Sequence, residues 1–266
     1  MSGTKKIAII GGGNMGEAIF RGVRRKFTVF ICEADQSRAR HLERVFRIKT
    51  KDLEEAVRQS SVIILAVKPQ NMDDVLRDIK RMITKEQLVI SIAAGITASY
   101  LEKGLGPGRK IIRTMPNMPA RIGEGVTAVC RGKNAGKNDV ALAVKIFNQL
   151  GETVVVEENF LDAVTAVSGS GPAYVFLFIE CLLKAARALG LNQTLSRKLV
   201  YATLLGSAHL LVQQKADAAE LRAKVTSKGG TTQAAMDVFM RCRIERIFRE
   251  ALQAAKKRAG ELSRKS

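Results

Sequence analysis

The chain has 266 residues, 46% of them hydrophobic and 26% charged, which excludes a disordered polymer and leaves room for one large domain or two modest ones with a real core. Its 44 basic residues against 25 acidic ones give a net charge of +19, a field that draws anions, from small substrates to nucleic acid or an acidic membrane. The four cysteines (Cys32, Cys130, Cys181, Cys242) form no CxxC pair, and His41 and His209 offer no ligand spacing, so free thiols and no metal site are expected.

The first residues, Met1-Ser2-Gly3-Thr4-Lys5-Lys6, pass directly into an apolar segment with no small-residue cleavage site, so no signal peptide is read and a cytoplasmic location is expected. From there to about residue 156 two patterns alternate. Short runs rich in β-branched residues at 7–10, 28–32, 62–67, 88–92, 110–113, 126–130 and 153–156 read as strands, most of them separated by helical stretches of ordinary length. Asp52-Leu53-Glu54-Glu55 fits a capping box, with Asp52 accepting from the backbone and Glu55 reaching back. Continuous apolar strands separated by helices imply an α/β fold whose mostly parallel sheet is covered on both faces.

After Glu157 the strand pattern stops, and residues 160–167, 172–189, 195–213, 218–225, 231–239 and 243–259 all read as helix. The last carries Ile244, Ile247, Phe248, Ala251, Leu252 and Ala255 on one face. The segments 172–189 and 199–212 are apolar nearly all round. The second is the nearest approach to a membrane span, but Gly206 and His209 interrupt it and it falls short of the ~20 residues a span needs. Helices of this kind must be buried, and so short a helical half can hardly surround two of them, so a second copy of the chain is expected to pack there. His209 accordingly reads as a core histidine. The expected division is a dinucleotide-binding domain at 1–158 and an all-helical substrate and dimerisation domain at 159–266. Basic residues are spread over 21–26, 38–49, 241–249 and 256–265 without interleaved aromatics, which favours a solvated basic surface over a nucleic-acid function.

Ile7-Ala8-Ile9-Ile10-Gly11-Gly12-Gly13-Asn14-Met15-Gly16 is a strand, a glycine turn and a helix start, the context in which GxGxxG points to a dinucleotide. Gly11 permits the turn, Gly13 lets the pyrophosphate approach, and Gly16 allows close packing. The phosphates then meet free N–H groups at the helix start, beside Asn14 and Met15. Glu33 ends the second strand, where an acid accepts from an adenosine ribose 2′-OH and repels a 2′-phosphate; this tilts the choice towards NADH, although Arg38 is near enough to compensate. Val67-Lys68-Pro69 and Ser91-Ile92-Ala93-Ala94-Gly95 end two further strands at the edge where ligands bind; Lys68 is a candidate cofactor contact, and the small residues around Ala93 leave room for the nicotinamide ribose.

Three more segments answer no generic structural need. Arg113-Thr114-Met115-Pro116-Asn117-Met118-Pro119 reads as a rigid loop after a strand. In Ser168-Gly169-Ser170-Gly171-Pro172-Ala173-Tyr174 glycines give way to a proline at a helix start, and Ser227-Lys228-Gly229-Gly230-Thr231-Thr232 is a glycine turn entering a helix. The last two would leave N–H groups and hydroxyls unpaired, a receptor for a carboxylate or phosphate.

In this order and spacing, these segments resemble those of the pyrroline-5-carboxylate reductases over nearly the whole chain. The resemblance implies a Rossmann-type N-terminal domain and a helical C-terminal domain that interleaves with a partner as a homodimer, often built into larger rings. It implies reduction of 1-pyrroline-5-carboxylate to L-proline by NADPH or NADH, the final step of proline biosynthesis. It further implies that N–H groups around Gly229, Gly230 and Thr231, with the Ser227 hydroxyl, hold the substrate carboxylate. The Thr232 hydroxyl would meet the ring nitrogen, and Val67, Pro69 and Asn117 would join the cofactor side. Lys228 stands where the family usually has proline, which frees φ and restores an N–H. A protonated cyclic imine is already electrophilic, so hydride transfer asks for positioning rather than a strong side-chain acid. The similar hydroxyacid dehydrogenases carry a lysine a few residues into the helix after a GSG-type turn. Here the comparable position is Val175, and no lysine occurs between Gly171 and Lys184. An imine is favoured over a ketone; another cyclic imine or a hydroxyacid remains the alternative.

Overall fold

The computed structural model describes residues 5–264; residues 1–4, expected to lead without a cleavage site into the first strand, and Lys265, at the end of the last basic stretch, lie outside the described residues. The chain runs through β1 (Lys6–Ile10), α1 (Asn14–Val23), β2 (Thr28–Cys32), α2 (Gln36–Phe46), α3 (Leu53–Gln59), β3 (Val62–Leu65), α4 (Met72–Ile79), β4 (Leu88–Ser91), α5 (Ala98–Leu105), β5 (Lys110–Pro116), β6 (Gly125–Arg131), α6 (Lys137–Phe147) and β7 (Gly151–Val156). After these come α7 (Leu161–Val164), α8 (Gly171–Ala188), α9 (Gln193–Gln214), α10 (Ala218–Lys224), α11 (Thr231–Arg241) and α12 (Ile244–Arg264). The strands form one sheet in the order β2-β1-β3-β4-β5-β6-β7, parallel throughout except between β5 and β6.

Strand periodicity divides the apolar residues between two cores. Ile7, Ile9, Ile64 and Ile90 face Ile19 and Phe20 of α1 and Phe147 of α6. Ala8, Ile10, Ile63 and Val89 face the other way, against Val57 of α3, Leu76 of α4 and Leu101 of α5. Every residue of β3 and β4 is buried, which is why these strands read as unbroken apolar runs.

Four local expectations are corrected. The strands expected at 62–67 and 88–92 end at Leu65 and Ser91. The loop expected from Arg113 is strand as far as Pro116, because β6 lies antiparallel beside it with Arg113 opposite Cys130 and Pro116 opposite Thr127. Asp52 caps α3, accepting from Glu54 N (2.9 Å) and Glu55 N (3.2 Å), but Glu55 does not reach back. It pairs instead with Lys51, a charged partner four residues away, and accepts from Gln59 (3.0 Å). Finally, the 168–174 motif is not a loop entering a helix. A π-turn at Thr165–Gly169 follows α7, closed by Ser170 N donating to Thr165 O at 2.8 Å, and Pro172 is already the second residue of α8. A proline inside a helical run removes an N–H and crowds the preceding turn, and a wider turn accommodates it.

The chain folds as two compact units, one holding the residues up to Ser170 and those from Ala254 onward, the other Gly171–Gln253. In the first, α12 continues past the expected end at 259: Ser263 Oγ donates to Asp162 Oδ1 (3.1 Å), and a Cβ added to Gly95 would sit 3.1 Å from that of Leu262. In the second, α8 and α9 pack together, yet no residue of α8 is buried and Leu205 and Val212 are 62% and 73% exposed in the single chain. His209, expected in a core, is exposed as well. Among the described residues one helical run, Glu158–Ala188, is long and apolar enough to cross a membrane by length and composition; that run, rather than 199–212, is the nearest approach to a span.

Gln87 is the buried polar tie of the sheet domain: its Nε2 donates to Val57 O and Ser60 O, and its Oε1 accepts from Thr84 N, each at 2.7 Å. Gln87→Leu keeps the bulk but strands two carbonyls and an N–H, at an expected cost of about 2–4 kcal/mol. Urea unfolding should show a lower midpoint at unchanged slope; a loss below about 0.5 kcal/mol would mean that these groups reach water.

Candidate active site

The carboxyl ends of β1 to β5 share one edge of the sheet, and the connections from β1 and β3 diverge there, the place where open parallel sheets bind ligands. Gly11 leaves β1 at φ +99°, its N–H donating to Cys32 O (2.8 Å); a Cβ there would lie 2.7 Å from Ala66 O and 3.0 Å from the Val67 side chain. A Cβ on Gly16 would lie 2.0 Å from Gly11 O, so α1 rests directly on the loop backbone. A Cβ on Gly13 would meet nothing within 4 Å, and Gly13 and Asn14 are exposed, with Met15 partly buried behind them. The loop is thus closed where glycine is needed for packing and open at the start of α1, a fit to a dinucleotide pyrophosphate.

Gly12 is held through both of its backbone polar groups. Its N–H donates to Glu33 Oε2 (2.7 Å), and its carbonyl accepts from Arg38 Nε (2.6 Å). Glu33 Oε1 accepts from Asp35 N (2.9 Å), which fixes this acid at the end of β2. The Arg38 guanidinium also pairs with Glu17, which takes a second bond from Arg21 (3.0 Å) and lies 3.9 Å from His41 Nε2. Burial works to raise the pKa of Glu17, but the hydrogen bonds and charges of Arg21 and Arg38 outweigh it and hold the carboxyl below its ordinary value.

Along the same edge Lys68 is exposed and opens a short turn at Pro69–Asn71, closed by Asn71 N donating to Lys68 O (2.9 Å). Ala93 is buried, its N–H donating to Ser91 Oγ (3.2 Å). Asn117, expected on the cofactor side, has its side-chain Oδ1 accepting from Val126 N (2.9 Å) at the start of β6. Below it the buried Arg113 donates to Glu158 Oε1 (2.6 Å), and the same oxygen accepts from Ala98 N (2.9 Å) at the start of α5.

The expected substrate residues lie in the other unit, in the turn before α11. Gly229 has φ +74°, and Gly230 N donates to Ser227 O (3.0 Å), so the Gly230 N–H expected to face a carboxylate closes the turn instead. A Cβ on Gly230 would lie 2.5 Å from Ser227 Oγ. The first hydrogen bond of α11 runs from Ala234 N to Gly230 O (3.2 Å), which leaves the N–H groups of Thr231 and Thr232 directed out of the helix start. In the 168–174 segment Ser168 Oγ donates to Val164 O (3.1 Å), at the end of α7.

Sequence reasoning gathered the residues along the sheet edge but missed the links between them. Glu17 and Arg21 stand four apart, a readable pair, whereas the bond from Glu17 to Arg38 depends on how α1 and α2 come together. Nothing in the local pattern at 157–158 singles out Glu158 as the partner of Arg113.

The switch-point edge and the glycine loop define a Rossmann-type dinucleotide-binding protein. Residues 6–95 match a family model described as NADP oxidoreductase coenzyme F420-dependent, residues 158–262 match one described as pyrroline-5-carboxylate reductase dimerisation, and a pyrroline-5-carboxylate reductase of Synechocystis is 39% identical, with 98% of this chain and 99% of that protein aligned. The chain belongs to the pyrroline-5-carboxylate reductase family. Among solved structures, that of the pyrroline-5-carboxylate reductase from Coxiella burnetii superposes with a TM-score of 0.90 at 34% identity, covering 98% of this chain and 99% of that one. The Plasmodium falciparum pyrroline carboxylate reductase with NADP bound gives 0.87 at 30%, covering 97% and 98%.

Glu158→Ala would leave Arg113 buried without its counter-charge and Ala98 N without an acceptor, a loss of about 2–3 kcal/mol. In a double-mutant cycle with Arg113→Met the two losses should be strongly non-additive; additive losses would mean that the pair is not coupled.

Proposed function

We propose that the chain reduces 1-pyrroline-5-carboxylate to L-proline by hydride transfer from NADH or NADPH, in the cytoplasm and as the final step of proline biosynthesis. The observation that carries this reading is the presence in one chain of this family of a dinucleotide loop open at Gly13 and, in the other unit, of a glycine turn whose helix offers the N–H groups of Thr231 and Thr232. The nicotinamide, when bound, supplies the hydride. Residues 1–158 would serve the coenzyme and 159–266 the substrate and the homodimer, with any larger ring built from that dimer. The uncovered apolar faces of α8 and α9 support a second copy of the chain as their partner.

Around the substrate, the N–H groups of Gly229 and Thr231 and the Ser227 hydroxyl would take the carboxylate, while Gly230 shapes the turn. The free φ at Lys228 and its positive charge would favour an anionic ligand. The Thr232 hydroxyl would meet the ring nitrogen and fix the imine for attack. No acid is needed there, because the protonated imine carries its own activation. At the coenzyme, Glu33 favours the ribose without a 2′-phosphate, so NADH is the preferred donor.

Oxidation of NADH and of NADPH, measured in parallel with pyrroline-5-carboxylate, tests the reaction; absence of turnover with both, from folded and coenzyme-binding protein, would sink it in favour of another cyclic imine. Thr232→Ala should lower turnover by about tenfold or more while the coenzyme dissociation constant stays within about twofold. Unchanged turnover would remove Thr232 from the mechanism.

A further inference from the structure

Two side chains with opposite consequences for the coenzyme meet on one residue of the loop. Glu33, at the end of β2, accepts from Gly12 N, and Arg38, in the first turn of α2, donates to Gly12 O. A carboxylate at this place receives a ribose 2′-OH, whereas an arginine receives a 2′-phosphate. With both present, identity alone does not settle the choice; what matters is which charge is left uncompensated.

Arg38 is the compensated one. Of its five N–H donors, Nε is held by Gly12 O at 2.6 Å and an Nη2 proton by Glu17, whose side chain is 13% exposed. Glu17 is the single carboxylate that Arg21, Arg38 and His41 share among the described ion pairs. Glu33 has no cation of its own among those pairs; among the described residues its oxygens accept from the backbone N–H groups of Gly12 and Asp35. Of the two charges held on Gly12, Glu33 is therefore the one with no opposite charge paired to it among the described residues.

We propose that Glu17, although it stands on α1 and would not touch the ribose, is a positioning residue that sets coenzyme preference: by neutralising Arg38 and holding its guanidinium against Gly12, it leaves Glu33 to repel a 2′-phosphate. This rests on the reading of the loop as a dinucleotide site. Removing the charge of Glu17 with its shape kept would uncover Arg38, with Arg21 and His41 behind it, and create a cationic receptor where an acid now dominates. Charges several ångströms apart at a protein surface interact strongly enough to move a binding ratio by about tenfold.

The test is equilibrium binding of NADH and NADPH, followed by nucleotide fluorescence without substrate, to the wild-type chain, Glu17→Gln and Arg38→Met. Glu17→Gln should raise NADPH binding relative to NADH by about tenfold, and adding Arg38→Met to it should abolish the gain. Arg38→Met alone should leave the ratio within about twofold, because Glu17 stays paired with Arg21 when Arg38 is gone. Equal weakening of both coenzymes in Glu17→Gln would reduce Glu17 to a support of the loop and overturn the proposal. So would a shift towards NADH, or a selective loss of NADPH binding in Arg38→Met, each of which would mean that Glu17 presents Arg38 to the phosphate. Wild-type protein that binds neither nucleotide would overturn the dinucleotide reading itself, an outcome distinct from binding with an unmoved ratio.

Discussion

The contact on which the sheet domain depends is the approach of α1 to the glycine loop, where a Cβ at Gly16 would fall 2.0 Å from Gly11 O. No side chain can stand between helix and loop, so the first turn of α1 is set directly against the end of β1. That closeness buries Ile19 and Phe20 on one face of the sheet, and it leaves the start of α1 open at Gly13. A larger residue at 16 would push the helix away and alter the core and the ligand edge together. Packing and binding here are the same geometric fact.

Much of this was legible in the chain because fully buried strands cannot hide their character. Val62-Ile63-Ile64-Leu65 lies between two cores, so every position is apolar and the run stands out whatever its neighbours do. Where a strand owes its length to pairing instead, the pattern fails. Thr114, Met115 and Pro116 are strand because β6 runs antiparallel beside them, and no local preference announces that partner. The 168–174 motif failed for a related reason. Its glycines and proline are ordinary signs of a loop and a helix start, but a π-turn absorbs the proline without ending the helical run.

In the other unit the chain advertised a deficit. Helices apolar on all sides cannot be satisfied by so few neighbours, and α8 indeed has no buried residue in the single chain. The exposure of Phe176 and Leu177 (56% and 60%) belongs to the same deficit, since a lone exposed leucine is unremarked whereas a whole exposed helix face marks an interface. What the pattern did not reveal is that α12 serves two masters. Its later turns join the sheet domain through Ser263 and Asp162 and lie against Gly95, while its earlier turns belong with α8 to α11. Amphipathic periodicity tells which face of a helix is buried but not against what.

The candidate site divides along the same line. Its glycines were readable because each has a steric duty that only glycine performs, at Gly11 and Gly229 through positive φ and at Gly16 through close approach. Its charged residues were readable as types but not as a circuit. Arg38 looks like a free cation in the sequence, yet it is locked between a carbonyl and a carboxylate. Glu33 looks like a free acid, yet both of its oxygens hold backbone N–H groups. A carboxylate fixed in this way has little freedom to turn from an approaching anion, so its repulsion is delivered at a defined place. Hydrogen bonding to the loop thus fixes the place of the Glu33 charge, which a mobile side chain would not do.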